Sequence, residues 1–252
     1  EDTHPMLPTI AWEDGEVVMI DQRKLPSREV YVRCRTGRDV AKAIRTMVIR
    51  GAPAIGVAAA MGVSLELRRS TATGTTQLAT EFYRTCDLLG ATRPTAVNLF
   101  WAIERMKRVF AAAMRAGQST DELTATIIAE AARVHDEDVA SCRALGQHGA
   151  EVVPDEGRVL THCNAGALAT GGYGSALGVV RAAVEAGKTV YLHCWAGLGR
   201  TGVVVVCYLV RHGRSGEEAL EEIARLRRDL PDGSMNSPQT KGQRDMVLEW
   251  AP

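Results

Sequence analysis

Five residues, Trp195, Ala196, Gly197, Leu198 and Gly199, separate Cys194 from Arg200, and the apolar run Val203-Val-Val-Val-Cys-Tyr-Leu-Val210 follows almost at once. Val190-Tyr-Leu-His193 before the cysteine is apolar enough for a buried strand, and two glycines so close together interrupt any regular element. The order therefore predicts a strand, a tight turn and a helix start. Four consecutive valines locally favour a strand, but an anion-binding turn requires a helix N-terminus behind it, and the helix is the reading adopted. Successive N–H groups of such a turn, together with the helix dipole, form a concave anion site of phosphate size. The same field lowers a thiol from about 8.5 towards roughly 4–7, which makes Cys194 a candidate thiolate nucleophile, helped by Thr201. Arg200 can hold two oxygens at once and stabilise spreading charge, while Gly197 and Gly199 let the anion approach without a Cβ clash. Trp195, Ala196 and Leu198 complete the loop whose amides would bind phosphate.

Elsewhere the chain reads as mostly helical. Val17-Val-Met-Ile20 and Val30-Tyr-Val32 flank a Leu25-Pro-Ser27 turn and predict a small antiparallel element. Asp39 is a candidate N-cap for a helix through Met47, and Pro53 stands just inside the start of another that runs to Leu67. Amphipathic stretches follow from Thr76 to Leu88, from Asn98 to Ala116, and from Ser119 or Thr120 towards Cys142. Arg158-Val-Leu-Thr-His-Cys163 predicts a strand, the glycine-rich Asn164–Gly174 a loop, and the next stretch a helix to Ala186. Thr161-His-Cys-Asn-Ala-Gly166 and Leu192-His-Cys-Trp-Ala-Gly197 share the pattern His-Cys-x-Ala-Gly, 31 residues apart. Two such units in succession predict parallel strands joined by a right-handed crossover helix, with both cysteine turns at one sheet edge. Near the C-terminus Ser215 caps a helix over Gly216–Leu226, and Gln243 lies in Ser237-Pro-Gln-Thr-Lys-Gly-Gln243 at a further helix start.

With 252 residues, 46% of them apolar, the chain can bury one large or two modest cores. The expected fold class is α/β: a helical N-terminal region with a small β element over residues 1–150, then a parallel-sheet α/β domain over 151–252 that contains the Cys-x5-Arg phosphate loop. Thirty basic and thirty acidic side chains cancel, which points away from a nucleic-acid partner. The apolar runs are too short for the roughly 20 residues a membrane span needs. Six cysteines without Cys-x-x-Cys pairs and without a signal peptide suggest the cytoplasm, and six scattered histidines suggest no metal site. No cofactor is expected.

The stretch His193-Cys194 through Arg200-Thr201-Gly202 resembles the signature of the protein tyrosine and dual-specificity phosphatases. That resemblance implies hydrolysis of a phosphomonoester, on a phosphoprotein or a small molecule, through a phosphocysteine on Cys194. Gln243 would position the hydrolytic water, although a surface helix start explains it equally. Asp155 and Asp232 are the nearest loop aspartates, and neither stands in that family's acid motif.

Residues from about 6 to 188 resemble another family, the methylthioribose-1-phosphate isomerases of methionine salvage. They are related to ribose-1,5-bisphosphate isomerases and to regulatory subunits of a translation-initiation exchange factor. Arg50-Gly-Ala-Pro-Ala-Ile-Gly56, Thr92-Arg-Pro-Thr-Ala-Val-Asn-Leu99 and Thr161-His-Cys-Asn-Ala-Gly-Ala-Leu-Ala-Thr170 carry the likeness, with support around Val30–Cys34. It implies that Arg50, Gly51, Ala52 and Arg93 bind a sugar phosphate, that Cys163 assists proton movement in an aldose–ketose conversion, and that the protein forms homodimers. Spacing alone reads Arg50 as a solvated charge and Cys163 as a buried strand-end thiol. Past Lys188 the isomerase pattern stops, without its catalytic aspartate, and the phosphatase-like pattern begins, so the chain is chimera-like. Of the two, the phosphatase is the expected activity and the isomerase, or a weak phosphate-binding or dimerisation module, the alternative.

Overall fold

The computed structural model describes residues 9–25, 28–189, 191, 194 and 196–250. Two compact units divide the chain at Lys188, with Lys24–Arg28 grouped with the second. The first unit opens with strands β1 (Ile10–Glu13), β2 (Glu16–Ile20) and β3 (Tyr31–Cys34), antiparallel in the order β1-β2-β3. Asp14 and Gly15 join β1 to β2 with φ of 50° and 79°. Two left-handed residues in a two-residue loop match the twist of the strands they connect. Glu13 pairs with Glu16 across it, and Arg33 on β3 bridges both carboxylates.

Helices α1 (Gly37–Arg45), α2 (Ala52–Arg68), α3 (Thr75–Gly90), α4 (Val97–Arg115) and α5 (Thr120–Val152) follow. The cap of α1 is Thr36, and Asp39 is its reciprocal partner at the third helical position, each bonded to the other's backbone N–H. Ser119 and Glu122 make the same box at α5. Helix α2 is buried from Ala54 through Leu65 and again at Leu67, and α1, α3, α4 and α5 pack around it. Its small residues admit close neighbours: a Cβ on Gly56 would come 2.9 Å from the Asn98 carbonyl. Phe82 and Phe110 stack with centroids 4.0 Å apart, both fully buried. A single 3₁₀ turn, Ala167–Ala169, precedes α6 (Ala176–Glu185), which crosses α5 where Gly146 faces the Gly178 carbonyl.

The second unit contains α7 (Arg200–Arg211), α8 (Gly216–Arg227) and α9 (Lys241–Glu249). Val206, Val210, Ala219, Ile223 and Val247 form its core. Ser215 with Glu218, and Thr240 with Gln243, cap α8 and α9. The valine run Val203–Val206 is helical, because its buried positions recur at helical spacing against α8 and α9.

The parallel sheet is not found among the described residues. The expected strand 158–163 forms no regular element and carries no ladder, with Val159 57% and Leu160 95% exposed. A parallel strand is stable only when neighbours satisfy its N–H and C=O groups and cover both faces, and here no strand flanks it. Most of the other expected strand, Val190, Leu192 and His193, lies outside the described residues. No described helix is long and apolar enough to cross a membrane.

Truncating Phe110 to Ala removes half of the buried aromatic stack and should lower unfolding stability by about 3–5 kcal/mol. Val152→Ala, at a position 80% exposed, should change it by less than about 0.5 kcal/mol. Urea titrations followed by circular dichroism read both.

Candidate functional site

The start of α2 is shaped by a residue without a side chain. Gly51 is the N-cap at φ 108° and ψ 135°, with no side-chain hydrogen bond to the first turn. A Cβ there would stand 2.4 Å from the Ala169 Cα and 2.6 Å from its carbonyl oxygen. Backbone from the 3₁₀ turn thus lies directly against the helix start, a place only glycine can fill. Two polar side chains hold that turn down. Thr9 Oγ1 donates to the Ala167 carbonyl at 2.8 Å, and Gln22 Nε2 donates to Leu168 at 2.7 Å and to Arg50 at 3.4 Å. The Gln22 Oε1 is buried without a hydrogen-bond partner among the described residues.

Arg93 reaches the same neighbourhood. Its Nη1 lies 3.1 Å from the Met47 sulfur, at the end of α1 and three residues before Arg50. Met47 itself adopts φ 64°. Arg50 and Ala52 are exposed on either side of Gly51. An uncapped helix N-terminus flanked by guanidinium groups attracts anions through its N–H groups and its dipole.

The glycine-rich loop is ordered from within and from α5. Thr170 Oγ1 accepts from Gly172 N–H at 3.2 Å and Gly174 N–H at 3.0 Å while donating to the Ala167 carbonyl at 3.2 Å. Helix α5 grips Gly171 on both polar atoms: Asp138 Oδ2 accepts its N–H at 2.6 Å, and His135 Nε2 lies 3.2 Å from its carbonyl. The other ring nitrogen, Nδ1, lies 3.1 Å from Asp136 Oδ1, so both nitrogens of His135 face oxygen acceptors. Burial pushes the Asp138 carboxyl above the usual range, against the pull of the Gly171 N–H and His135. Gly174, at φ 99°, passes so close that a Cβ would meet the Gly166 backbone at 2.9 Å. Cys163 begins this loop, exposed and at φ 68°. Left-handed backbone is strained for a cysteine, a cost of order 1–3 kcal/mol that recurs at functional positions. It is not the buried strand-end thiol that spacing alone suggested.

The structure thus gathers Gly51, Arg93 and the 167–169 turn, and it leaves Cys163 exposed at the start of the connecting loop. Gln22, His135, Asp138 and Thr170 do positioning that the sequence reading missed. No spacing pattern singles them out, since each acts on a backbone atom far along the chain.

In the second unit α7 begins at Arg200, with Gly199 as its N-cap. The Cys194 thiol is lowered to about 6, first by the Thr201 hydroxyl and then by the N–H groups of Thr201, Gly197 and Ala196. That hydroxyl is buried with no oxygen or nitrogen partner of its own. Leu198 is pinned by Ser237 Oγ, which donates to its carbonyl at 2.9 Å. Gln243 lies against Gly199, yet its Oε1 accepts the Thr240 N–H at 3.1 Å, so it serves as a helix cap. Arg200 is exposed, and Trp195 lies outside the described residues. Of the two loop aspartates singled out in the sequence, Asp232 pairs with Arg227 at 2.7 Å, and Asp155, which belongs to the first unit, stands 3.4 Å from Lys188.

A helix start without a side-chain cap, preceded by Arg50 and packed by its Gly51 on a glycine-rich loop, is the local feature that the first unit builds from distant parts of the chain. Residues 48–197 match the model of the Initiation factor 2 subunit family, and the chain belongs to that family. It is 57% identical over 182 residues to a methylthioribose-1-phosphate isomerase of Geobacter metallireducens, covering 72% of this chain and 52% of that protein. The isomerase of Koribacter versatilis is 52% identical over 188 residues, covering 75% and 52%. Among solved structures, the 5-methylthioribose 1-phosphate isomerase of Pyrococcus horikoshii superposes with a TM-score of 0.68 at 38% identity, over 75% of this chain and 54% of that one. The translation initiation factor eIF-2B subunit delta of A. fulgidus gives 0.64 at 42%, over 72% and 52%. The chain therefore spans about half the length of the curated relatives it matches. Residues 172–243 also match a Swiss Army Knife protein model, a DSP-PTPase phosphatase domain.

These likenesses overturn the phosphatase reading. Isomerases match about three quarters of the chain at 50% identity or more, whereas the phosphatase model matches a short segment whose nearby aspartates are held in ion pairs.

Gly51→Ala should lower stability by at least about 1–3 kcal/mol, from left-handed strain and the contact with Ala169; a urea midpoint unchanged from the parent would refute the close approach. Iodoacetamide should label Cys194 with a half-maximal rate near the pH of its lowered thiol, about 6. Cys34 and Cys86, pushed up to about 12 by burial, should stay unlabelled in the folded protein. Mass spectrometry of peptides labelled across a pH series gives the comparison.

Proposed function

We propose that this chain binds methylthioribose 1-phosphate and acts in its aldose-to-ketose isomerisation. The observation that carries the reading is the backbone-tight junction of Gly51 with the 167–169 turn, in a chain 57% identical over 182 residues to an isomerase named for that substrate. The phosphate sits at the start of α2, where the first-turn N–H groups and dipole meet it. Arg50 and Arg93 supply the charge-assisted hydrogen bonds to its oxygens. Isomerisation breaks the ring bond between C1 and oxygen, moves the C2 hydrogen to C1 and passes the C2 hydroxyl proton to the released ring oxygen, so that C2 becomes the ketone carbon while the phosphate ester stays intact. Cys163, exposed in strained backbone at the edge of the loop, is the thiol that assists this proton movement. His135, Asp138 and Thr170 touch no reacting atom and act by fixing the loop behind it.

Conversion of methylthioribose 1-phosphate to its ketose, followed by phosphorus NMR, tests the reading. Arg50→Ala should raise KM at least about tenfold, the worth of one or more charge-assisted hydrogen bonds. Cys163→Ser should lower kcat by about 10²-fold or more with KM little changed. Turnover indifferent to both residues would refute the assignment. Binding that needs Arg50 without any turnover would leave a sugar-phosphate binding module in place of an enzyme.

A further inference from the structure

A cleft of about 450 Å³ lies in the first unit where the turn between β1 and β2 meets the C-terminal end of α2. Asp14, Gly15, Glu16, Arg35, Arg68 and Arg69 line it, a set with three guanidinium groups and no aromatic or aliphatic side chain. Helix α2 has 17 residues, so this end stands about 25 Å from its start at Ala52. The volume falls in the range of small-molecule sites.

The acidic side chains of the hairpin are largely neutralised from within it. Glu16 accepts from Arg35 Nε at 2.6 Å and from Arg33 Nη1 at 3.1 Å, and these bonds hold its carboxyl below the usual range. Arg33 reaches Glu13 with its other terminal nitrogen at 3.0 Å. Arg68 and Arg69 are exposed and form no ion pair among the described residues. Cations at a helix C-terminus answer its dipole, which accounts for their charge but not for the seat that Arg68 occupies. A Cβ on Gly15 would stand 2.5 Å from Arg68 Cζ and Nη2 and 2.7 Å from Nη1. Three nearly equal distances lay the flat face of the guanidinium over the turn, so its N–H groups, which lie in that plane, run alongside Gly15 rather than into it. A fork already held against backbone loses less freedom on gripping an oxyanion than a free arginine does.

We propose that this cleft is a second anion site, which takes the diphosphate group of a compact polyanion between Arg68, Arg69 and the terminal nitrogens of Arg35. Arg35 spends only its Nε on Glu16. Three guanidinium forks present more in-plane donors than the oxygens of a single phosphate can accept, and a diphosphate uses them. Asp14 is exposed beside them and acts on Arg33, so the ligand meets one uncompensated carboxylate against two uncompensated guanidinium groups. With nothing in the lining to hold a base or an acyl chain, the anion itself is the recognised part. The site stands apart from the sugar-phosphate reading and does not depend on it.

Titration of the full chain with pyrophosphate, without divalent metal, tests it by amide NMR and calorimetry. The Gly15 and Arg69 amides should shift together, at an affinity about tenfold or more above that for orthophosphate, the worth of one further charge-assisted hydrogen bond. Arg68→Gln with Arg69→Gln should weaken pyrophosphate by about tenfold or more. Arg38→Gln with Arg84→Gln removes the same charge at two exposed positions outside the cleft and should leave the affinity within about twofold. Arg50→Ala, at the other end of α2, should leave the Gly15 response in place. A nucleoside diphosphate presents the same group, and ADP separates the two sources: affinity equal to pyrophosphate assigns the cleft to either carrier, and exclusion of ADP assigns it to the free anion. Shifts confined to the Gly51 end of α2, an affinity that survives the loss of Arg68 and Arg69, an equal loss in the control pair, or no preference over orthophosphate would overturn the proposal and leave the isomerase reading untouched.

Discussion

Helix α2 has almost no polar face, so it can exist only with other helices on nearly every side. From Ala54 to Leu65 every residue is buried, and Ser64 is accommodated by donating to Ala60 and Ile127 carbonyls. Such a helix cannot lie on a surface, because its stability comes from apolar area removed from water all around its circumference. Helices α1, α3, α4 and α5 supply that cover. Only its two ends reach the surface, at Ala52 and at Arg68, and at the first of them the polar N–H groups are the part least suited to an apolar core. Packing therefore places the one electropositive end of the central helix where a ligand can meet it.

What stands opposite that end is set by backbone rather than by side chains. The 3₁₀ turn approaches Gly51 within the radius of a methyl group, and it stays there because Thr9, Gln22 and Thr170 satisfy its carbonyls. Asp138 and His135 then fix the next peptide from α5. These bonds join residues more than a hundred positions apart to others about thirty apart. A loop so rich in glycine would otherwise hold no single conformation, given the entropy each glycine loses on ordering. The polar contacts convert a flexible segment into a rigid wall.

Much of this was legible from residue order, and the failures have physical causes. Helices α2 to α6 announce themselves by periodicity, and Pro53 marks the start of α2 within a residue or two. At α1 the acidic side chain was given the wrong role: Asp39 accepts from the Thr36 backbone as its box partner, and a capping box looks the same from either end until the geometry is known. Strand β1 was missed although Asp14-Gly15 is the dipeptide a two-residue hairpin prefers. The strand expected at 158–163 failed for a different reason. Its side chains suit a strand, but strand formation is a property of pairs, and apolar alternation says nothing about whether a neighbour exists. At the site, spacing alone read Arg50 as a solvated charge and only the family resemblance gave the arginines a phosphate role, whereas Gln22 and Asp138 work through distant backbone groups and leave no local pattern.

The two His-Cys-x-Ala-Gly turns show why a short pattern underdetermines chemistry. Cys163 is followed by a loop, a 3₁₀ turn and a helix that starts only at Ala176, so no helix N-terminus stands close to its thiol in sequence. Cys194 is followed by α7 at Arg200, and the sulfur takes hydrogen bonds from Thr201 and from turn amides that stabilise its anion. A thiolate is stabilised by donors and dipoles within the first turn of a helix, and that influence fades beyond it. Cys163 instead carries left-handed backbone and an exposed side chain. Identical residues thus stand in different surroundings, a thiol lowered by hydrogen-bond donors in one turn and an exposed thiol on left-handed backbone in the other. The lowering of the Cys194 thiol comes from the Thr201 hydroxyl and the turn amides, and it supplies neither a substrate nor an acid. Asp232, the loop aspartate of that unit singled out in the sequence, is paired with Arg227. The strained thiol, by contrast, opens the loop whose 167–169 turn packs on the start of α2 at Gly51.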